Sequence, residues 1–181
     1  MKIINTSIAD VFILAPQKFG DERGFFMESF NQKAFNEAVG YKVCFVQDNH
    51  SRSSRGVLRG LHYQIPPHAQ GKLVRVSQGR VFDVAVDIRH SSPTFGNWVS
   101  AELSDLNCHQ MWIPPGLAHG FLVLSESADL LYKTTEYYSP QSERSLQWDD
   151  ADLRIDWPKV AFPIIQSKRD IAASSFQALN P

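Results

Sequence analysis

Arg59 and His62 stand three residues apart in Val57-Leu58-Arg59-Gly60-Leu61-His62-Tyr63-Gln64, where apolar and polar residues interleave as in a β-strand. A charged side chain on a buried strand face must find a partner, so two in one short strand point to a shared polar hollow. Histidine changes charge near neutral pH, which suits it to take a proton and return it. A carboxylate on its far ring nitrogen would fix the tautomer and raise its basicity. Asp170 and Asp83 are the candidates, and the sequence leaves that choice open. Lys72 and Arg59 offer cations to a developing oxyanion, and Tyr132 offers a phenol that can deliver a proton. Arg59 and His62 have opposite parity, so they reach one pocket only across a bulge or bend, for which Gly60 is suited.

Further polar residues in strand-like or neighbouring segments extend the set: Arg23, Glu28, Gln47, Asn49, His119, Tyr138 and Arg169. A polar lining inside a β-fold predicts a ligand cavity rather than a dry core. Two histidines raise the question of a metal. The position two after His62 is Gln64, which breaks a His-x-His pair, and no carboxylate ligand stands nearby. No metal and no cofactor are expected.

The elements that must position these groups are short strands. Strand-like runs occur at Val11–Leu14, Gly24–Ser29, Phe45–His50, Val57–Gln64, Lys72–Val76, Val81–Ile88, Trp98–Leu103, Phe121–Leu124 and Leu130–Thr135. Turn formers stand at Phe19-Gly20-Asp21, Ser51–Gly56, Gln78-Gly79-Arg80, Ser92-Pro93-Thr94 and Pro114-Pro115-Gly116. That spacing predicts an all-β sandwich or barrel. One helix is predicted, capped by Asn31, running from Gln32 to Val39 and ended by Gly40. The tail reads as irregular segments with a short helix around Ile171 to Leu179.

The 181 residues suit one domain, 1–181, with no linker or repeat. A chain of this length buries enough surface to fold without a metal or disulfide staple. A net charge of −1 excludes a general nucleic-acid binder, so an anionic ligand would have to be held by a few placed cations. Cys44 and Cys108 are far apart and read as reduced thiols. The Val11–Ala15 run is too short for a signal segment, and no run approaches membrane-spanning length. A soluble cytoplasmic protein without membrane or nucleic-acid partners is expected.

Several motifs, in order from about residue 5 to residue 172, resemble the dTDP-4-dehydrorhamnose 3,5-epimerase family. They include Gly20-Asp21-Glu22-Arg23-Gly24-Phe25-Phe26, Phe45-Val46-Gln47-Asp48-Asn49-His50-Ser51 and Val57-Leu58-Arg59-Gly60-Leu61-His62. Gln70-Gly71-Lys72-Leu73-Val74-Arg75, Trp112-Ile113-Pro114-Pro115-Gly116-Leu117-Ala118-His119 and Tyr137-Tyr138-Ser139-Pro140 continue the match. The resemblance implies a cupin-type jelly-roll β-sandwich with a few short helices, and a strand-exchanged homodimer. It also implies the substrate dTDP-4-dehydro-6-deoxyglucose and a role in making dTDP-L-rhamnose for surface polysaccharide. By position, His62 corresponds to the base, Tyr132 to the acid and Asp170 to the carboxylate on the histidine, with Lys72 and Arg59 around the sugar. Arg23, Phe26, Glu28, Gln47, Asn49, His119 and Glu143 correspond to substrate contacts, and Tyr138 to an aromatic stacked on thymine. The family tail reads Ser-x-Lys-Asp; here Ser167-Lys168-Arg169-Asp170 puts the contact on Arg169, or on Lys168 if the register slips. A single-centre epimerase or ketoisomerase of a related deoxysugar pathway is the alternative.

Overall fold

The computed structural model describes residues 2–179; Met1, Asn180 and Pro181 lie outside the described residues. The chain opens with β1 (Lys2–Asn5) and β2 (Phe12–Ala15), then a hairpin of β3 (Lys18–Asp21) and β4 (Gly24–Met27). After helix α1 (Gln32–Val39) come β5 (Gln47–Ser54), β6 (Leu58–Gln64), β7 (Lys72–Gln78) and β8 (Arg80–Asp87). The series ends with β9 (Trp98–Ser104), β10 (Gln110–Ile113), β11 (Leu117–Val123), β12 (Ser127–Thr134) and β13 (Glu143–Ser145). The tail holds one helical turn, α2 (Lys168–Ile171), and a 3-10 turn at Phe176–Leu179.

The strands form two antiparallel sheets, ordered β1-β2-β10-β7-β12-β5 and β13-β6-β11-β8-β9, with β3-β4 apart. From β5 to β8, and again from β9 to β13, the chain crosses to the other sheet at every strand. That crossing makes a jelly-roll β-sandwich, as the resemblance implied. Within those two runs, each strand and the next lie in opposite sheets, whereas β8 and β9 are neighbours in one sheet. Ile13, Val74, Val76, Met111 and Leu130 of one sheet meet Val81, Ala85, Leu103, Phe121 and Val123 of the other.

The outer faces are covered differently. β11 is buried at all seven residues, because the tail packs on its outer side through Leu146, Leu153 and Phe176. On the other sheet, α1 lays Phe35 and Val39 against Leu14, Leu73 and Trp112. The helix has the expected ends: Asn31 Oδ1 accepts from the Ala34 amide at 3.1 Å, and Gly40 takes the left-handed conformation at φ 82°.

Three local expectations need correction. Ser51–Ser54 is strand, not turn, because β5 pairs along its whole length with β12; the reversal falls at Arg55-Gly56. The Phe19-Gly20-Asp21 signal lies inside β3, and the chain turns at Glu22-Arg23. In place of one tail helix around Ile171 to Leu179, an α-helical turn stands earlier at Lys168–Ile171, capped by Ser167 and ended by Ala172, and a 3-10 turn at Phe176–Leu179 falls in the expected range. No helix among the described residues is long and apolar enough to cross a membrane.

Candidate active site

Arg59 and His62 share a face because β6 carries one extra residue between them. Opposite β11, His62 pairs with His119 and Arg59 with Phe121, three steps on β6 against two on β11. This is a β-bulge, and Gly60 stands in it at φ 119°. A Cβ there would lie 2.5 Å from Gly120 Cα and 2.7 Å from the His119 carbonyl oxygen. Left-handed strain and a backbone collision together make Gly60→Ala cost about 3 kcal/mol or more. A urea melt checks this; a midpoint equal to the wild type would mean that the bulge accepts a side chain.

The bulge turns both residues into a hollow of about 180 Å³ between the sheets. His62, Arg59 and His119 enter it from one sheet, Lys72 and Tyr132 from the other, with Tyr138 and Glu143 at its side. A larger hollow of about 320 Å³ lies over the outer face of the six-stranded sheet, floored by Leu73, Arg75 and Leu131. It meets the acid–base set only at Tyr132, so the smaller hollow is where the chemistry belongs.

Both histidines are anchored by carboxylates, which answers the question the sequence left open. His62 Nε2 lies 2.6 Å from Asp170 Oδ1, while His119 Nε2 lies 3.0 and 2.9 Å from the two oxygens of Asp83. Burial alone would raise the Asp170 carboxyl, but hydrogen bonds from His62, Ser167 and the Gly60 amide hold it at about 2. Asp170 is therefore an anion that accepts, so Nε2 of His62 carries the hydrogen and Nδ1 keeps its lone pair. The basic atom of the pair is thus Nδ1.

Lys72 is 8% exposed and donates to the His62 carbonyl oxygen at 3.1 Å. One of its three N–H groups is engaged there, leaving two to point at a ligand. Burial pushes its ammonium down to about 8, against the pull of the Glu143 and Asp83 carboxylates. Burial, with the Glu143 charge adding to it, pushes the Tyr132 phenol up, and Arg59 opposes this. The phenol stays protonated through the neutral range, as a proton donor must.

The rim is built around Glu143. Tyr138 Oη donates to Glu143 Oε2 at 2.5 Å, and Arg169 Nη1 meets the same oxygen at 2.6 Å. Of the two tail cations, Arg169 is the one that reaches the site. Gln47 Oε1 accepts from the Tyr138 amide at 3.1 Å and Gln47 Nε2 donates to Asn49 at 2.9 Å. Asn49 lies opposite Tyr132 in the β5–β12 pairing.

Arg23, Phe26 and Glu28 are not brought to the cavity. Arg23 and Phe26 sit on the β3–β4 hairpin and Glu28 just beyond it. Among the described residues the hairpin pairs only with itself, Arg23 turns to Asp21, and Phe26 is 70% exposed. Conversely, sequence reasoning missed Gln64, which is buried and holds the Tyr138 loop. Its Nε2 donates to the His68 and Tyr137 carbonyls, and its Oε1 accepts from the Ser139 amide at 2.8 Å. The available signal was its i, i+2 relation to His62, which puts both on one strand face. Ser51, Tyr63, Gln70 and Phe121 also line the hollow and were not singled out as site residues from the sequence.

An imidazole and a phenol on opposite walls of one hollow, with a buried ammonium lining it beside them, suit inversion of a carbon beside a carbonyl: the protein is an isomerase of the epimerase class. A sequence model of the family described as dTDP-4-dehydrorhamnose 3,5-epimerase matches residues 5–178. The dTDP-4-dehydrorhamnose 3,5-epimerase of Shigella flexneri is 61% identical over 176 residues, covering 97% of this chain and 96% of that one. The crystal structure of dTDP-6-deoxy-D-glucose-3,5-epimerase from Legionella pneumophila, in complex with dTDP-4-keto-L-rhamnose, superposes with a TM-score of 0.94 at 55% identity. It covers 97% of this chain and 93% of that one. A 3'-monoepimerase from Streptomyces bikiniensis, in complex with dTDP-quinovose, is more distant at 35% identity, with a TM-score of 0.88 and coverage of 95% and 86%. The chain belongs to the dTDP-4-dehydrorhamnose 3,5-epimerase family.

Proposed function

We propose that this single domain inverts C3 and C5 of dTDP-4-dehydro-6-deoxy-D-glucose, giving dTDP-4-dehydro-L-rhamnose for dTDP-L-rhamnose synthesis in the cytoplasm. The observation that carries the residue roles is the placement of the His62 base and the Tyr132 phenol on facing sheets of one hollow. The 4-keto group makes the hydrogens on C3 and C5 removable, because the electron pair left behind spreads onto O4. Nδ1 of His62 takes the proton, Asp170 stabilises the imidazolium, and Lys72 faces the charge on O4. At C5, Tyr132 returns a proton to the other face, and at C3 solvent water does so, which inverts each centre. No metal or cofactor enters this chemistry.

The nucleotide requires cations, and a chain of net charge −1 has to place them. Arg59 and Arg23 are the proposed diphosphate clamps, since a guanidinium fork pairs with two phosphate oxygens at once. Tyr138 supplies a stacking face, with Gln47, Asn49, His119, Glu143 and Arg169 as further contacts. Arg23, Phe26 and Glu28 would act in a homodimer, each hairpin covering the partner's cavity. Exposure of Phe19, Phe25 and Phe26 by 57, 59 and 70% on that hairpin supports a second copy there.

The test is incubation with the substrate in D₂O, followed by NMR, with and without chelator. Deuterium at C3 and C5, unaffected by chelator, is expected. Label at one carbon would mean a single-centre epimerase, and chelator sensitivity would bring back a metal. Tyr132→Phe should keep deuterium exchange at C3 and lose the C5-inverted product, by about 10²-fold or more. Normal inversion at both carbons would remove Tyr132 from its role.

A further inference from the structure

Asp170 is held from two sides, and only one of its partners is His62. Its Oδ1 faces His62 Nε2 at 2.6 Å and the Gly60 amide at 3.4 Å. Its other oxygen, Oδ2, accepts from Ser167 Oγ at 2.7 Å. The same hydroxyl oxygen accepts from the Asp170 amide at 3.1 Å, as the cap of α2. Ser167 thus grips the residue by its backbone and its carboxylate together. Cap and carboxylate orientation are one contact pair, and the carboxylate plane follows the position of the hydroxyl.

Ser167 does not line the hollow that holds Lys72 and Tyr132. It lines a neighbouring hollow of about 340 Å³ with Asp170 and Arg169, which shares His62 and Arg59 with the first. The contacts of its hydroxyl are both to Asp170, so its route to the reaction runs through that carboxylate.

We infer that Ser167 is a positioning residue of this epimerase, the third member of a Ser167–Asp170–His62 chain that sets the aim of the base. This rests on the reading of His62 as the base given above. The hydroxyl proton is shared with Oδ2, which leaves Oδ1 directed at Nε2. That contact in turn points Nδ1 at the sugar. Without the donor, Oδ2 is unheld, and the Gly60 amide at 3.4 Å is left to steady the acceptor of a 2.6 Å Nε2–H bond. Groups that orient a histidine from behind are worth 10- to 100-fold where they have been removed in metal sites.

Three substitutions separate donation from capping. Ser167→Ala removes both. Ser167→Asp keeps an acceptor for the Asp170 amide, so it caps α2, but it has no proton to donate and sets a second carboxylate beside the first. Ser167→Thr keeps donor and cap. Turnover and KM are measured for each, with a thermal melt to establish that the protein is folded at the assay temperature. The expected result is a kcat lowered on the order of 10-fold in Ser167→Ala and at least as much in Ser167→Asp. KM should stay within about twofold, and Ser167→Thr should restore wild-type turnover. A wild-type kcat in folded Ser167→Asp would overturn the inference, since capping alone would then explain the serine. A raised KM with unchanged kcat would also overturn it, because Ser167 would then be touching substrate. His62→Ala run alongside keeps the two readings apart: a dead His62 variant beside a fully active Ser167→Ala defeats only the serine's role.

Discussion

His62→Ala is expected to suppress deuterium incorporation at C3 and C5 together, by on the order of 10⁴-fold, the upper end for a positioned general base. The joint loss is the informative part. The hollow presents two imidazoles, and their Cα atoms face each other across the β6–β11 pairing. If each served one carbon, removing His62 would silence one label and spare the other. The surroundings of the two rings argue otherwise. Only His62 has the Lys72 ammonium hydrogen-bonded to its own carbonyl oxygen, so base and charge acceptor are fixed relative to each other. His119 is buried more deeply, with its carboxylate chelating Nε2 through both oxygens, which suits a fixed contact to a sugar hydroxyl. Retained exchange at either carbon in His62→Ala would mean two bases and would end the one-base account. Binding of dTDP is the control, and it should change little, because His62 does not face the nucleotide in this scheme.

Parts of this site were legible in the sequence because their causes are local. The α1 boundaries follow from Asn31, the Phe35–Val39 spacing and Gly40, all within ten residues. The parity conflict between Arg59 and His62 demanded a bulge, and the one glycine between them sits in it. What could not be read depends on partners far along the chain. Ser51–Ser54 looks like turn until β12 pairs with it, and β1, β10 and β13 are too short to announce themselves without the strands beside them. The choice between Asp170 and Asp83 was of the same kind. Each carboxylate takes a histidine, and the pairing with His62 closes over 108 residues. Arg23, Phe26 and Glu28 were legible as residue types, but among the described residues their hairpin pairs with no other strand, and nothing in it draws them to the cavity.

Lys72→Met is expected to lower kcat by about 10²- to 10³-fold, the loss found when one preorganised donor to an oxyanion is removed. The same substitution should make the protein more stable at neutral pH. The ammonium is buried and held down to about 8, against 10.5 for an exposed lysine. Between those values the unfolded chain binds the proton that the folded chain has released, so stability rises with pH across that window. Below about 8 the folded protein bears the whole cost of the buried charge, about 3 kcal/mol at 1.36 kcal/mol per unit. A methionine side chain of similar length carries no charge and should recover much of that in a denaturant melt at pH 7. Activity and stability therefore move in opposite directions at this one position, as happens where a destabilising group is kept for its chemistry. The wild-type rate should also fall as pH climbs past about 8, when the ammonium loses its proton. The thioether that replaces it does not titrate, so that limb should vanish from the variant's residual activity. A Lys72→Met protein that turns over within tenfold of wild type would show that the charge on O4 is met by some other group, and one that melts earlier at pH 7 would show that the buried ammonium does not destabilise the fold.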